Sequence, residues 1–122
     1  MQIRVIDGEF AVCKLSTAAD MDFSGEFVFA AKTDEELSLV CKTEQVPSGC
    51  IACEKGWRAM RIEGVLDFSL TGVISSLSSA LAKQKIAVFV VSTFNTDYIL
   101  VKEHLLSGAI SALTEKGCEF TL

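Results

Sequence analysis

The sequence is short of histidine, proline and clustered basic residues, and these shortages exclude whole classes of protein. Its 122 residues include one histidine and one proline, and 16 acidic residues outnumber 11 basic ones, giving a net charge of −5. A nucleic-acid binder would normally carry a basic patch to neutralise phosphates. With a single histidine, only one position in the chain could supply the base of a Ser-His-Asp or Cys-His catalytic site, which argues against such a mechanism. We therefore expect neither nucleic-acid binding nor catalysis.

Long apolar runs are also missing. The longest, IAVFVV at 86–91, is far shorter than the roughly 20 residues that span a bilayer. The start, MQIRVIDGEFAVCKL, has no cationic segment followed by an apolar core, so it does not resemble a signal peptide. We expect a cytoplasmic protein that does not enter the membrane.

The five cysteines are then expected to be reduced thiols, because the cytoplasm opposes disulfides. Cys50 and Cys53 form a C-x-x-C motif, with Cys41 upstream. A structural zinc site usually needs two such pairs, or one pair with histidines, and neither is present here. We expect no metal and no cofactor, and a thiol or zinc protein built on this motif is kept as an alternative.

The second half of the chain alternates between strand and helix patterns. Strands are predicted at WRAMRIEG (57–64), IAVFVV (86–91), DYILVK (97–102) and CEFTL (118–122), and helices at GVISSLSSALAKQK (72–85) and HLLSGAISALTEKG (104–117). The order β-α-β-β-α-β predicts an α+β, ferredoxin-like fold. In the usual strand order IAVFVV lies at a sheet edge, where the N-terminal hairpin or a second copy of the chain would cover its apolar faces.

The first half is rich in strands and poor in helices. EFAVCKL, EFVFAAK and LSLVCKTE have strand patterns, and QVPSG has the composition of a linker. With an offset of 61, residues 27–40 align by residue class with residues 88–101. The first half is therefore interpreted as a duplicate of the second whose helices have been trimmed away.

Two loops of the second half carry the candidate binding residues. DFSLTG (67–72) leads into a helix N-terminus, whose unpaired N–H groups attract a carboxylate, and STFNTD (92–97) supplies the carboxylate of Asp97 for an ammonium group. Both loops are expected at or near the same end of the sheet, where they would suit a zwitterion. The alternative is structural: Asp67 and Ser69 are ordinary helix caps, and Asn95 and Asp97 ordinary turn residues.

LDFSLTG and STFNTDYILV, taken together over residues 57–113, resemble an ACT domain. They are similar to the small tandem-ACT proteins related to the regulatory tail of aspartate kinases, and to the cytosolic arginine sensors of animal growth signalling. The resemblance implies a C-terminal ACT domain at 49–122 preceded by a degenerate, strand-rich ACT-like unit at 1–48. It also implies an amino-acid-binding regulatory module, typically a homodimer, that responds by ligand-linked conformational or oligomeric change.

The resemblance places the ligand where two ACT units meet. It assigns the contacts to Asp67, Ser69, Leu70, Gly72 and Ile74 on one side and to Thr93, Phe94, Thr96 and Asp97 on the other. The arginine sensors have an acid where this chain has Leu70, which argues against arginine itself. No kinase domain is present, so what remains is a free-standing regulator or a module acting on a protein partner. A structural protein–protein interaction module without a ligand is the other alternative.

Overall fold

The computed structural model describes residues 1–65 and 72–121, and the chain forms two compact units. The strand unit is Gly8–Trp57, and the helical unit combines Met1–Asp7 with Arg58–Leu122. These units are defined by contacts, whereas the ranges 1–48 and 49–122 divide the chain by sequence pattern and stay a prediction.

The described residues contain eight strands and two α-helices. In chain order they are β1 (Gln2–Val5), β2 (Phe10–Leu15), β3 (Phe29–Lys32), β4 (Leu37–Lys42), β5 (Ala52–Ile62), α1 (Val73–Lys83), β6 (Phe89–Ser92), β7 (Asp97–Lys102), α2 (Leu106–Glu115) and β8 (Glu119–Thr121). Both helices and seven of the strands overlap their predicted segments, although β5 begins five residues earlier and β6 three residues later than predicted, and β1 is an addition. The boundary between the units falls inside β5, which therefore contributes residues to both.

The helical unit confirms the α+β, ferredoxin-like prediction. Its elements β5-α1-β6-β7-α2-β8 follow the predicted order, with β7 paired to both β5 and β6. Strand β1 lies between β5 and β8, antiparallel to β5 and parallel to β8. Ile3 and Val5 of β1 are buried while Arg4 between them is exposed, as expected for a strand with one face on a core. The N-terminal strand thus completes the sheet of the C-terminal fold.

The core of the helical unit lies between one sheet face and the two helices. Each helix buries one stripe at helical spacing, Leu77 and Leu81 on α1 and Ala109 and Leu113 on α2. The sheet contributes Ile3, Val5, Met60, Ile62, Ile99 and Val101 to the same cluster. Burial of these side chains is the main stabilising contribution to this unit.

The strand unit has the strand order β3-β4-β2-β5, with every pair antiparallel. Residues 8–57, all of which the structure describes, contain 3-10 turns at Ala18–Asp20 and Thr43–Gln45 but no α-helix. The unit therefore agrees with the strand-rich, helix-poor pattern of the first half of the sequence.

The hairpins β3–β4 and β6–β7 repeat each other with an offset of 60 residues. Both strands of each hairpin, and the 3-10 turns that follow at Thr43–Gln45 and Glu103–Leu105, correspond at this spacing. The identical pairs at this offset include Val28 and Val88, Phe29 and Phe89, Thr33 and Thr93, and Lys42 and Lys102. The sequence alignment at 61 is therefore one residue out of register, because matching by residue class cannot separate adjacent positions in an apolar strand.

Strand β6 has an edge position. Among the described residues it pairs with β7 alone, and its residues Phe89, Val90 and Val91 are half-buried. Coverage of this edge by the N-terminal hairpin or by a second copy of the chain stays a prediction.

The core of the strand unit contains thiols. Cys13 and Cys41 are buried with Ala11, Leu15 and Leu39, and Cys50 and Cys53 pack against this cluster. Burial, a hydrogen bond with Cys53 and the neighbouring thiols raise the pKa of Cys13 to about 12. Burial is also the main cause that raises the pKa of Cys41 to about 11. Both thiols are therefore held neutral in the folded chain.

We expect the free energy of unfolding to fall as the pH rises above 9. Between the ordinary thiol pKa of 9.0 and the folded value of about 12, Cys13 ionises in the unfolded state but not in the folded one. The unfolded state then binds fewer protons, so stability decreases, by at most about 1.4 kcal/mol per pH unit for one such group. Urea denaturation between pH 7 and 10.5 measures the slope. Cys13→Ala should make it shallower, and equal slopes in the two proteins would contradict the assignment.

Candidate functional site

The loop that joins β6 to β7 is closed by its two threonines. The backbone N–H of Thr93 donates to the carbonyl of Thr96 at 2.8 Å, and the Thr93 hydroxyl donates to the same oxygen at 2.9 Å. The Thr96 N–H returns a longer contact to Thr93 Oγ1 at 3.4 Å. No residue from Thr93 to Thr96 has a positive φ, so the turn needs no glycine. The loop can therefore carry side chains at every position.

Thr96 fixes this loop to strand β5. Its side chain is 7% exposed, and its hydroxyl donates to the Ile62 carbonyl at 2.6 Å. Ile62 is the last residue of β5, from which the chain continues towards residues 66–71. The hydrogen bond therefore places the β6–β7 loop beside the point where the chain leaves β5 for the predicted DFSLTG loop.

We expect Thr96→Val to lower the free energy of unfolding by about 1–2 kcal/mol, because it leaves the buried Ile62 carbonyl without its donor at nearly constant volume. Thr114→Val is the matched control, since the Thr114 hydroxyl also donates to a backbone carbonyl, that of Ile110, but is exposed. Urea denaturation followed by circular dichroism measures both variants. Equal losses would show that burial of the Thr96 bond is unimportant.

The other predicted residues of this loop face solvent to different degrees. Phe94 is 78% exposed at the tip, Thr93 is exposed, and Asp97 is half-buried as the first residue of β7. Four predicted contacts, counting Thr96, thus share one hairpin. Asp97 and Thr93 remain within reach of a small molecule at this end of the unit.

The predicted contacts from the other loop are described in part. Gly72 lies at the N-cap of α1 with φ of 81° and is exposed, and among the described residues other than its chain neighbours no atom lies within 4 Å of where a Cβ would be. Ile74 is half-buried against the core of the helical unit, which makes it a packing residue of the first helical turn. Asp67, Ser69 and Leu70 lie outside the described residues.

A charged group next to the loop was not among the predicted contacts. Arg61 on β5 donates from Nη2 to Glu63 Oε1 at 3.3 Å. Hydrogen bonding with Tyr98, the second residue of β7, is the main cause that raises the pKa of Arg61, and Glu63 adds to it. The alternation in WRAMRIEG does put Arg61 and Glu63 on one face, but only the pairing of β5 with β7 shows that this face adjoins the candidate loop.

A family model for the ACT domain matches residues 52–115, which is more than half of the chain. The chain belongs to the ACT-domain family. A second model, described as an N-terminal domain, matches residues 8–49. ACT domains are regulatory modules that bind small molecules rather than catalytic domains, so the membership supports that type of function here.

Solved structures share the fold over nearly the whole ACT-domain chain. A protein from Agobacterium tumefaciens is 32% identical over 99% of this chain and 92% of its own, with a TM-score of 0.88. A protein of unknown function from Vibrio cholerae is 20% identical over 93% and 88%, with a TM-score of 0.76. The ligand-free regulatory subunit of aspartate kinase from Thermus thermophilus is 8% identical over 93% and 95%, with a TM-score of 0.64. The last two comparisons establish shared architecture.

The described part of this ACT-domain chain lacks two further kinds of feature. Within residues 1–65 and 72–121, no group of three or more His, Cys, Asp or Glu side chains is arranged to hold a metal ion. Over the same ranges, no helix is both long enough and apolar enough to cross a membrane.

Proposed function

We propose that the helical unit binds an amino acid, or a similar small zwitterion, at the end that carries the β6–β7 loop. The observation that supports this most directly is the 2.6 Å bond from Thr96 to Ile62. It holds the loop beside the exit of β5, with Asp97 half-buried and Phe94 exposed at the same end of the unit. Membership of the ACT-domain family supports the same type of function.

Each end of a zwitterion has a partner in this proposal. The half-buried carboxylate of Asp97 pairs with the ligand ammonium group, since a charge-assisted hydrogen bond is stronger than a neutral one. The first turn of α1 offers backbone N–H groups to the ligand carboxylate, and the absence of a Cβ at Gly72 leaves room for close approach. Phe94 contributes an apolar surface for the ligand side chain. Asp67, Ser69 and Leu70 are proposed to complete the contacts from the preceding segment.

Ligand binding would act by differential affinity. A ligand that binds one arrangement of the chain more tightly shifts the population towards it, and the shift cannot exceed the difference in binding free energy. We propose that the equilibrium affected is that of a homodimer, or of the chain with a regulated protein partner, in the cytoplasm. The chain itself would transmit the signal without performing chemistry.

We expect at least one amino acid to raise the melting temperature at millimolar concentration, because a ligand at about 100 times its Kd stabilises the folded state by about 2.7 kcal/mol. Thermal-shift measurements against the individual amino acids are the screen. Asp97→Ala should weaken the binding of any hit by about 10-fold to 100-fold, since it removes a charge-assisted bond of about 1.5–3 kcal/mol.

Asp34→Ala is the matched control. Asp34 is an exposed acid in the corresponding loop of the strand unit, between β3 and β4. Its removal changes the net charge by the same amount and should leave ligand affinity unchanged. No shift with any amino acid, or an Asp97→Ala variant that binds as well as the parent, would refute the proposal.

A further inference from the structure

The C-x-x-C motif suggests that Cys50 and Cys53 form a pair. In the structure, however, Cys53 contacts Cys13. Cys13 on β2 and Cys53 on β5 are direct partners in the antiparallel ladder. The Cys13 thiol donates to Cys53 Sγ at a sulphur–sulphur distance of 3.5 Å. The two residues are 40 positions apart, so only the pairing of β2 with β5 reveals the contact.

Two more thiols surround this pair. Cys41 on β4 is buried in the same cluster, opposite Ala11 of β2, and Cys50 packs against the cluster from the residues before β5. Both contribute to the electrostatic environment of Cys13. Four of the five cysteines therefore lie together in the strand unit, whereas Cys118 belongs to the core of the helical unit.

A cation is not the best occupant of this cluster. A structural zinc site takes four ligands in tetrahedral geometry at about 2.3 Å from each sulphur. In the parts of the chain that the structure describes, no three His, Cys, Asp or Glu side chains have an arrangement suited to a metal. The close approach of two sulphurs on facing strands is instead the starting geometry for a disulfide, whose S–S bond is about 2.05 Å long.

We propose that Cys13 and Cys53 form a cross-strand dithiol site that reacts with small disulfides of the glutathione type and is converted into a Cys13–Cys53 disulfide. The different exposure of the two thiols sets the order of the reaction. Cys53 is half-buried and so meets the oxidant first, while Cys13 is 3% exposed and reacts only with a partner already next to it. The raised pKa of Cys13 keeps its thiol protonated, so Cys13 is not the thiol that attacks first.

The proposed thiol–disulfide exchange has two steps, and it conserves atoms and electrons. The Cys53 thiolate attacks one sulphur of the small disulfide, forms a mixed disulfide and releases one small thiolate. Cys13, on losing its proton, attacks Cys53 Sγ, which breaks the mixed disulfide and releases the second small thiolate. The two released thiolates take up the two protons of the protein thiols. Two electrons pass from the protein to the small disulfide, which is reduced to two thiols.

The product would tie β2 to β5 and enclose the β3–β4 hairpin in a covalent loop. A cross-link between residues 40 apart restricts the unfolded chain and so favours the folded strand unit. The loop is long, and the two sulphurs are already in contact, so little distortion of the fold opposes the bond. We therefore expect oxidation to raise the melting temperature by about 5 °C or more.

The test equilibrates the full chain with buffers of oxidised and reduced glutathione of increasing ratio, quenches with an alkylating agent and maps the peptides without reduction. We expect a loss of 2 Da and a cross-link between the Cys13 and Cys53 peptides, with three cysteines alkylated. A Cys50–Cys53 cross-link, stable glutathione adducts alone, or five alkylated cysteines at the most oxidising ratio would overturn the proposal.

Three variants sharpen the result. Cys53→Ala should abolish the cross-link, Cys50→Ala should preserve it, and Cys118→Ala in the helical unit should leave both the cross-link and the redox midpoint unchanged. Peptide mapping of the unaltered chain decides the pairing even if a substitution in the core prevents folding. A cross-link that persists in Cys53→Ala would also overturn the assignment.

Discussion

Replacing Phe10 with alanine should lower the free energy of unfolding by about 3–5 kcal/mol and the melting temperature by about 10–20 °C. Phe10 is fully buried, and its ring meets that of Phe27 edge to face with centroids 6.4 Å apart. The substitution removes this contact together with the transfer free energy of the ring, and it leaves a cavity that β-sheet packing fills only in part. The loss is a large fraction of the 5–15 kcal/mol that typically stabilises a domain.

The fluorescence of Trp57 can be used to measure this loss of stability. Trp57 is the only tryptophan in the chain and pairs with Phe10 across β2 and β5, so its fluorescence during urea unfolding reports on the strand unit. Phe23→Ala is the matched control, since Phe23 is 60% exposed and the chemical change is identical. The control should lose less than about 1 kcal/mol. A Phe10→Ala variant that behaves like Phe23→Ala would show that the packing of Phe10 is not what stabilises this unit.

Leu81→Ala should have an effect of about 2–5 kcal/mol on the helical unit. Leu81 is fully buried on α1, and it belongs to the cluster that joins the two helices to the sheet. Truncation leaves a cavity between α1 and the strands, and the value within the range depends on how far the helix can move to fill it. Loss of the helical circular dichroism signal on urea unfolding follows this unit, because both α-helices of the described chain belong to it.

Val65→Ala serves as the comparison for Leu81→Ala. Val65 is 74% exposed, so losing its methyl groups should change stability by less than about 0.5 kcal/mol. Similar losses in the two variants would contradict a core centred on Leu81.

The helical unit was the more predictable from sequence because its signals are local. The stripe of Leu77 and Leu81, the apolar run at 86–91 and the polar interruption after Ser92 each indicate an element without distant partners. The strand β1 gave no such signal. Its four residues alternate buried and exposed positions, but a segment this short is recognisable only once β5 and β8 are in place beside it.

The sequence indicated a candidate site at the β6–β7 loop, which stays a proposal, but it did not indicate the structural contacts that these residues make. Thr96 was expected to contact ligand, and its ligand role stays a proposal, but the structure gives its hydroxyl an anchoring role on Ile62 that no local pattern indicates. Strand pairing brings Arg61 of β5 into contact with Tyr98, which follows the loop. The contact of Cys13 with Cys53 depends on the same kind of long-range information, which a pattern read along the chain does not contain.

Because β5 contributes residues to both units, the choice of boundaries matters when fragments of the chain are expressed. A gene fragment that begins after residue 48 would encode the later elements but omit β1, which supplies the neighbour of both β5 and β8. A fragment that stops there would omit the strand against which β2 pairs. The helical unit is discontinuous in sequence, with the strand unit inserted between Asp7 and Arg58, so any single fragment that contains the whole helical unit contains the strand unit as well.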